Sequence, residues 1–550
     1  MKILGISPFH DSSIVVLHDG NIEYFSKEER LTRKKRDAFP WKSLSYVTNN
    51  ITDIDLIVIC SPTFNDPFND ILEEYLKKYY NCTIKRLCDK HHLAHASLAF
   101  YNSGFEQSLT VVIDRNGSKV NGLRESESVF ISSYPNNFKP IYKSYWLENI
   151  GEKYDVENDK TLFNISKQYA DCEVQAESTC NITKVYETAT SLIGEHALEN
   201  GKTMGLASYG KDTKHRNLFV DSMPISNYFI HSDGDYFKPV LLKEHLSKFL
   251  HEPYELTKDN YSYYADYSYQ VQKQTQEVVL NLVKKYVEQT GIKNVCISGG
   301  YGLNVIANSY LVKNLPDVNF YFEPMADDTG NSIGSAMYYY RDITKNCDIT
   351  AIKDTFFNGN KHAVPIDVGN SYTTVDDIVN YLTQGKIVAV YNQMAEAGPR
   401  ALGNRSILFD ARNKNAKDIV NVVKNREWYR PFACSILEED FEEYFNTLGL
   451  SKSEFMTMAF DVKSDKIPGV VHVDNSCRVQ TVNKSIPYFY ELLNKFKEKT
   501  GVPVLLNTSF NLAGEALVES PTDAISTYKK SDIDVLWFPE KQIALRKNNE

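Results

Sequence analysis

The sequence repeats one short pattern, in which an apolar segment, a polar loop and a second apolar segment follow one another. The first copy spans residues 2–26 and turns at Asp19-Gly20, and the second copy spans residues 109–132. Segments rich in β-branched residues are typical of strands, and Asp-Gly is a preferred hairpin turn. Because an approximate internal repeat indicates a duplicated unit, we expect two similar α/β halves with a cleft between them.

Three strands in succession at the start of the chain are typical of the ribonuclease-H-like, actin-like (ASKHA) fold. We expect residues 133–265, which are rich in Tyr and lack a clear period, to be irregular. The other elements expected in this part are a strand in 53–60, a helix in 67–80, a helix ending at Gly291 and a strand in 294–298.

Regular patterning lapses around residues 345–375, where Thr, Asn, Asp and Gly accumulate. We therefore predict two domains, residues 1–355 and residues 356–550. Helix and strand patterns then return as a second α/β unit. Its expected elements are helices in 374–384, in 487–499 and from 521, and strands in 386–391, 502–506 and 533–538.

Composition narrows the class of protein. The 550 residues carry 61 basic and 71 acidic side chains, a net charge of −10, which argues against stable binding of nucleic acid over a broad basic surface. The nine cysteines form no C-x-x-C pair, and no apolar run reaches the roughly 18 residues that a membrane span needs. We expect a cytoplasmic protein with reduced cysteines and no membrane segment.

His91 and His95 stand four residues apart in a segment of helical composition, so both side chains would lie on one helical face. Such a pair can bind a divalent metal ion, although two hydrogen-bonded or solvated histidines are the commoner meaning of this spacing. A metal would also need carboxylate ligands. Asp114, at the end of a predicted strand, and either Asp327 or Asp328 are the candidates, and two N and two O ligands would suit Fe, Mn or Zn.

Two further segments carry candidate chemistry. Ser298-Gly299-Gly300 follows a strand, so its backbone N–H groups could approach a phosphate or ribose, or could simply form a tight turn. Residues 398–433 place many basic side chains among Gly, Pro and aromatic residues, which indicates a partly buried anion site or a structural ion-pair network. These basic residues are Arg400, Arg405, Arg412, Lys424, Arg426 and Arg430, and Arg478, Asn507 and Ser509 could complete the site.

With these residues laid out, the chain resembles the NodU/CmcH family of O-carbamoyltransferases over nearly its whole length. The matching motifs occur in the order of the family: FHDSS (9–13), EERLTRKKRDAFP (28–40), HHLAHA (91–96), ENGKTMGLASYG (199–210), SGGYGLN (298–304), DDTGNSIGSAMY (327–338), GPRALGNRSIL (398–408), KNREWYRPFA (424–433), RVQTV (478–482) and GVPVLLNTSFN (501–511).

The resemblance implies a Kae-like N-terminal domain with the duplicated ASKHA fold and a YrdC-like α/β C-terminal domain. In such enzymes the C-terminal domain uses ATP, with Mg, and carbamoyl phosphate to make carbamoyl-adenylate and pyrophosphate. The N-terminal domain then passes the carbamoyl group to an acceptor hydroxyl. We expect the acceptor to be a small molecule or nucleotide, and its pocket to be shaped by residues 133–265. The resemblance leaves a homodimer open.

Carried over position by position, the resemblance assigns roles to individual residues. His91, His95, Asp114 and Asp328 match metal ligands, with Fe favoured over Mn or Zn. The remaining matches are His10 near the acceptor hydroxyl, Lys35, Gly299, Gly300 and Asn304 at adenylate-contacting or catalytic positions, and Arg400, Lys424, Arg430, Arg478, Asn507 and Ser509 in the activation site.

The chain departs from the family pattern at two places. Arg115 stands where a Gly usually follows the Asp, and the first loop has the single His10 where two histidines are frequent. We therefore place Arg115 in the catalytic region, as a contact for phosphate or an acidic acceptor. Two other hypotheses stay open at this point: carbamoylation or threonylcarbamoylation of a nucleic-acid base, and a non-catalytic actin-like nucleotide-binding regulator.

Overall fold

The computed structural model describes most of the chain. The described residues are 1–62, 66–88, 90–120, 123–147, 165–169, 171–177, 182–212, 230–231, 239–240, 256–364 and 371–547. Among them, no helix is long and apolar enough to cross a membrane. The eight cysteines in these ranges are free thiols, as expected from the sequence.

The first sheet has the strand order β3-β2-β1-β4-β5. Strands β1 to β3 are antiparallel neighbours, and β4 and β5 run parallel to β1. Alternating apolar residues from both faces of these strands are buried, which explains why the segments read as apolar runs. The strands are β1 (Lys2–Ser7), β2 (Ser13–His18), β3 (Asn21–Lys27), β4 (Leu56–Ile59) and β5 (Thr83–Arg86).

The second sheet repeats this arrangement in the order β9-β8-β6-β13-β14, with β10 added beside β9 and β7 paired to β8. Again three antiparallel strands are followed by two that run parallel to the first. The duplication predicted from the sequence is therefore confirmed. Its strands are β6 (Gln107–Ile113), β7 (Lys119–Val120), β8 (Leu123–Ser133), β9 (Asn137–Leu147), β10 (Glu173–Glu177), β13 (Asn294–Ser298) and β14 (Asn319–Phe322); β11 (Ile230–His231) and β12 (Pro239–Val240) form a separate pair.

Helices cover the sheets and join them. The helices are α1 (Glu28–Thr32), α2 (Trp41–Asn50), α3 (Pro67–Leu76), α4 (His91–Ser103), α5 (Ile182–Leu192), α6 (Asn200–Ala207), α7 (Tyr261–Thr290), α8 (Val305–Asn314), α9 (Asn331–Thr344), α10 (Val375–Thr383), α11 (Ala416–Lys424), α12 (Phe441–Tyr444), α13 (Pro487–Thr500) and α14 (Pro521–Lys530).

Helices α4 and α9 pack against each other between the two sheets, α4 on the second sheet and α9 on the first. Their backbones approach closely at Gly334, where an added Cβ would lie 2.0 Å from the carbonyl oxygen of Ala94. Ser97 Oγ also donates a hydrogen bond to the Gly334 carbonyl at 2.7 Å. A side chain at position 334 would therefore force the two helices, and the residues at their N-terminal ends, apart.

The C-terminal part forms a third, nine-stranded mixed sheet in the order β15-β23-β22-β16-β17-β21-β18-β20-β19. Helices α10 and α13 bury their apolar faces on this sheet. The strands are β15 (Ser371–Tyr372), β16 (Val388–Tyr391), β17 (Arg405–Asp410), β18 (Ala433–Leu437), β19 (Ala459–Asp461), β20 (Ser476–Val482), β21 (Val504–Ser509), β22 (Val535–Phe538) and β23 (Ile543–Arg546).

Two sequence expectations about the fold need correction. Residues 133–265 are not irregular throughout, because the described part contains β9, β10, α5, α6 and the start of α7. Tyr, Lys and Pro interrupt the apolar alternation of β9, and this hid the strand. The helix expected over 67–80 ends at Leu76. The expected boundary between residues 355 and 356 stays a prediction.

Asn358 links the first sheet to the C-terminal part. Its fully buried side chain accepts a hydrogen bond from the Lys27 backbone N–H at 3.0 Å and donates one to the Glu519 carboxylate at 2.8 Å. Its backbone N–H donates to the carbonyl of Ala395. One side chain therefore satisfies buried polar groups from two distant parts of the chain.

We predict that Asn358→Ala lowers the free energy of unfolding by about 2–4 kcal/mol, because the buried Lys27 N–H and one buried oxygen of Glu519 lose their hydrogen bonds to Asn358. Urea unfolding followed by circular dichroism measures this change. Asn50→Ala, at an exposed position in α2, is the control and should stay within about 0.5 kcal/mol of the original protein. Equal effects of the two substitutions would contradict the role given to Asn358.

Candidate functional site

Four buried side chains converge at the cleft between the first two sheets. His91 and His95 lie in the first turns of α4, Asp114 directly follows β6, and Asp328 precedes α9. Their ligand-type atoms all lie within 4.8 Å of one another. The Nε2 atoms of the two histidines are 3.3 Å apart, and Asp328 Oδ1 lies 3.2 Å and 3.3 Å from them. The histidine pair and its carboxylate partners, expected from the sequence, therefore come together.

The spacing of these atoms fits a divalent metal ion. Donor atoms that bind a common ion at about 2.1 Å lie about 3.0–3.4 Å apart in tetrahedral or octahedral geometry. The observed separations of 3.2–3.5 Å, including 3.5 Å between His91 Nε2 and Asp114 Oδ2, match that range. Two imidazoles and two carboxylates also supply two negative charges and the mixed N and O donors that suit Fe, Mn or Zn.

Charge within this group is strongly coupled. Burial alone would lower the pKa of His91, but the carboxylates of Asp328 and Asp114 outweigh it and hold the pKa well above its usual range. Burial alone would raise the pKa of Asp328, but His91 and His10 hold it well below its usual range. The carboxylates are therefore ionised at neutral pH and present negative charge to the centre of the group.

Spacing alone left the choice between Asp327 and Asp328 open, and the geometry agrees with Asp328, the residue that the resemblance implies. Asp328 faces the histidines, whereas Asp327 accepts a hydrogen bond from the backbone N–H of Thr329 and lies 3.9 Å from Lys27 Nζ. Only Asp328 of these two belongs to the group of four.

Neighbouring groups fix the orientation of the four side chains. The Gly300 N–H donates to Asp114 Oδ1 at 3.1 Å, and Asn331 Nδ2 donates to Asp328 Oδ1 at 3.2 Å. The approach of the glycine turn to β6 requires Gly299, whose φ is +82° and whose added Cβ would lie 2.3 Å from the carbonyl oxygen of Ile113. The sequence analysis did not identify Asn331 as a site residue. Its position at the start of α9 was the signal that could have identified it.

His10 borders the group from the first hairpin loop. Its Nε2 lies 3.4 Å from Asp328 Oδ2, and its Nδ1 lies 3.4 Å from Asp11. Burial alone would lower the pKa of His10, but Asp328 and Asp11 raise it to about 9. Lys27, at the end of β3, is buried and lies 3.1 Å from Asp11 and 3.4 Å from Glu29. Sequence reasoning missed Lys27, which lies one residue beyond the first copy of the repeat, residues 2–26.

One continuous cavity of about 670 Å³ reaches from this group to the C-terminal part. The sequence-predicted residues that line it are His10, Lys35, Asp114, Arg115, Gly300, Asn304, Asp328, Arg400, Lys424, Arg430, Arg478, Asn507 and Ser509. Asp114 and Asp328 of the group of four and cations of the basic segment therefore line the same cavity.

The C-terminal end of the cavity concentrates positive charge. Lys424 is buried, and its Nζ donates to the carbonyl and hydroxyl of Ser509 and to the carbonyl of Asn511. Burial and the charges of Arg426 and Arg430 hold the pKa of Lys424 well below its usual range. Within the described ranges no carboxylate lies within 4 Å of the cationic atoms of Arg400, Lys424, Arg426 or Arg478.

Burial and neighbouring cations lower the pKa of three arginines as well. Arg400 is brought to about 10 by burial and Arg430, and the pKa values of Arg426 and Arg478 lie well below their usual range for the same two reasons. A buried cation without an acid is costly unless an anion completes the site. The geometry therefore favours an anion site over a structural ion-pair network.

Arg405 and Arg412 lie outside this site, contrary to the sequence expectation. Arg405 stacks 3.6 Å from the ring centroid of Tyr391 and donates to backbone carbonyls, and Arg412 pairs with Asp410 at 2.6 Å. Arg405 begins β17 and Arg412 follows its end, and neither lines the cavity, which a count of basic residues cannot reveal.

Three predicted residues line the cavity with their polar groups already paired. Lys35 Nζ lies 2.9 Å from Glu199, and Arg115 forms an ion pair with Glu187. Asn304 caps α8, where its Oδ1 accepts a hydrogen bond from the Ala307 N–H at 3.0 Å. Their roles in catalysis or adenylate contact stay predictions.

Two family models match the chain. Carbamoyltransferase N-terminus matches residues 70–337, and carbamoyltransferase C-terminus matches residues 379–544. The protein is 29% identical to nodulation protein NolNO of Sinorhizobium fredii (strain NBRC 101917 / NGR234), in an alignment that covers 96% of this chain and 78% of that protein.

Two further matches cover smaller parts of this chain. Nodulation protein U of Azorhizobium caulinodans is 31% identical over 44% of this chain and 45% of its own length. The crystal structure of full-length HypF in the phosphate- and nucleotide-bound form is 14% identical and covers 62% of this chain and 46% of that chain, with a TM-score of 0.37. That score is too low to assign a shared fold or ligand.

The two family models match consecutive parts of the chain. The first range contains the buried His and Asp group, and the second contains the cationic cluster of Arg400, Lys424, Arg426, Arg430 and Arg478. The motifs, the duplicated fold and these matches agree with one another. The chain belongs to the carbamoyltransferase family and is a carbamoyltransferase enzyme.

Proposed function

We propose that the protein is an ATP-dependent O-carbamoyltransferase that works in two steps within one cavity. Hydrolysis of carbamoyl phosphate gives carbamate and phosphate, and a carbamate oxygen then displaces pyrophosphate from ATP to form carbamoyl-adenylate. In the second step an acceptor hydroxyl attacks the carbamoyl carbon, which forms the carbamate ester and releases AMP. Family membership makes a non-catalytic regulator untenable.

The observation that carries this proposal is the continuous cavity with opposite chemistry at its two ends. Phosphate-bearing substrates need several charge-assisted hydrogen bonds, and the cations of Arg400, Lys424, Arg430 and Arg478 offer them. Because both ends belong to one cavity, carbamoyl-adenylate, a mixed anhydride that water hydrolyses, would have a short direct path between them.

We assign the transfer step to the other end of the cavity. A divalent metal held by His91, His95, Asp114 and Asp328 would supply Lewis-acid stabilisation of charge on the transferring group. His10 borders that group on the cavity side, which supports its assignment to the acceptor hydroxyl. Lys27 holds Asp11, and thereby the loop that carries His10.

The acceptor is a hydroxyl of a small molecule or nucleotide in this proposal. The segment expected to shape its pocket, residues 133–265, includes ranges outside the described residues, among them 148–164, 213–229 and 241–255. The net charge of −10 keeps a nucleic-acid base the weaker alternative.

One prediction of the proposed function concerns the cationic cluster. Arg478→Met should reduce carbamoyl-phosphate-dependent pyrophosphate release by at least about 100-fold, since a half-buried cation that lines the cavity is lost. It should not lower the melting temperature, because the substitution also removes repulsion from Arg400 and Arg426. A coupled pyrophosphate assay and thermal unfolding measure the two effects.

Arg412→Met is the matched control, because Arg412 pairs with Asp410 outside the cavity. Its pyrophosphate release should remain within about twofold of the original protein. Unchanged release in Arg478→Met, or release that needs no carbamoyl phosphate, would overturn the proposed first step.

The second prediction separates the two ends of the cavity. His95→Gln should lose bound metal and carbamoyl transfer while pyrophosphate release persists, because His95 lies at the end away from the cationic cluster. Metal content by mass spectrometry and carbamoyl mass gain in a panel of hydroxylated metabolites and nucleotides give the two readouts.

His92→Gln controls for a change in the same helix. His92 is also buried in α4, but its Nδ1 contacts Ser128 Oγ at 2.9 Å and it does not belong to the group of four. Metal content should persist in this variant. Full metal occupancy in His95→Gln would rule out the assigned ligand set.

A further inference from the structure

Glu396 is a buried carboxylate that binds the backbone of the loop 398–405. One of its oxygens, Oε1, accepts hydrogen bonds from the N–H groups of Leu402 at 2.7 Å, Asn404 at 3.0 Å and Arg405 at 3.3 Å. The side chain is fully buried. Hydrogen bonds to a charged acceptor are worth more than those to a neutral one, so this carboxylate holds the loop strongly.

The carbonyl groups of the same loop are held from outside it. Gln480 Nε2 donates to the Leu402 carbonyl at 2.7 Å, and the Tyr488 hydroxyl donates to the Gly403 carbonyl at 2.5 Å. At the N-terminal end, Arg30 donates to the Gly398 carbonyl at 3.1 Å. The loop therefore has one well-determined shape, and Glu396 supplies the bonds to its N–H side.

This shape presents Arg400 to the cavity between the two reaction centres. The Arg400 guanidinium donates to the Leu303 carbonyl at 3.1 Å, on the turn that follows β13. Burial and the nearby charge of Arg430 lower the pKa of Arg400 to about 10, so a flexible loop would let this side chain move away from the other cations. A fixed loop resists that movement before any substrate binds.

The Glu396 carboxylate accepts hydrogen bonds from the loop and does not neutralise the cations of the cavity. Among the described residues it forms no ion pair within 4 Å, and it does not line the cavity. A carboxylate that turned towards Arg400 would compete with the anionic substrate for the same guanidinium. The orientation of Glu396 thus favours binding of an external anion.

We propose that Glu396 is a positioning residue that fixes Arg400 for contact with the phosphate-bearing substrates. This inference rests on the proposed function, because it names the part of the chain that prepares the activation site. It predicts a change in substrate affinity at constant folding stability, which a purely structural carboxylate would not cause.

The test compares Glu396→Gln with Glu28→Gln in the full chain. Glu28 is a matched control, since its buried carboxylate accepts the backbone N–H groups of Lys42 at 2.8 Å and Ser43 at 3.0 Å but lies outside the cavity. In Glu396→Gln the KM for ATP or carbamoyl phosphate should rise about tenfold, because one charge-assisted contact is weakened. The kcat for pyrophosphate release should stay within about threefold of that of the original protein. Glu28→Gln should leave both KM values unchanged, and both variants should show similar melting temperatures.

Calorimetric titration with carbamoyl phosphate provides a second readout that needs no turnover. Weaker binding in Glu396→Gln than in Glu28→Gln would support the inference even if the original protein released no pyrophosphate, a result that would overturn the proposed function alone. Equal KM values and equal affinities in the two variants would overturn the role of Glu396. If Glu396→Gln melts well below Glu28→Gln, Glu396→Asp replaces it in the same titration, where unchanged affinity overturns the role and weaker binding supports it.

Discussion

The close contact between α4 and α9 determines where the candidate site can form. Gly334 lets the backbone of α9 approach Ala94 in α4, and each helix rests on a different copy of the duplicated sheet. Both helices begin at the cleft, so His91 and His95 from one and the Asp328 segment before the other meet there. A duplicated fold provides equivalent strand and helix ends on both sides of a cleft, and this packing converts them into one ligand set.

Charge is distributed in opposite ways at the two ends of the cavity. The His and Asp group carries carboxylates and fits a cation, whereas Lys424, Arg426 and Arg478 have no carboxylate within 4 Å among the described residues. Such desolvated charges are costly in isolation and become favourable when a ligand of opposite charge arrives. In the proposed reaction, the cationic end would bind the anionic substrates and the His and Asp end would bind a metal ion for carbamoyl transfer.

Much of the fold could be predicted from the sequence, because strands and helices leave local patterns of apolar and polar residues. The repeated strand pattern predicted two similar halves, whose sheets share one strand order, and four-residue spacing placed His91 and His95 on one face of α4. The β9 strand was not accessible, since Tyr, Lys and Pro mask its alternation. Loops have no such period, so spacing alone left Asp327 and Asp328 equivalent, and only the family resemblance pointed to Asp328, the one that faces the histidines.

The residues of the site were harder to predict from the sequence, for a related reason. Asn331 contacts His95 and Lys27 contacts Asp327, in each case between segments far apart in sequence, and Glu396 acts through the folded shape of its own loop, so no spacing rule points to them. Arg405 and Arg412 show the opposite error, because density of basic residues in a segment does not reveal which side chains face a cavity. Long-range packing and strand direction, which the sequence encodes only indirectly, decide both cases.

The central claim is that the cationic end of the cavity forms an adenylate before any acceptor is present. Exchange of radiolabelled pyrophosphate into ATP tests this most directly, because only a reversible adenylate-forming step transfers the label. We expect exchange that requires carbamoyl phosphate and proceeds without an acceptor hydroxyl. Absence of exchange in an enzyme that still carbamoylates an acceptor, or exchange that is independent of carbamoyl phosphate, would contradict the account.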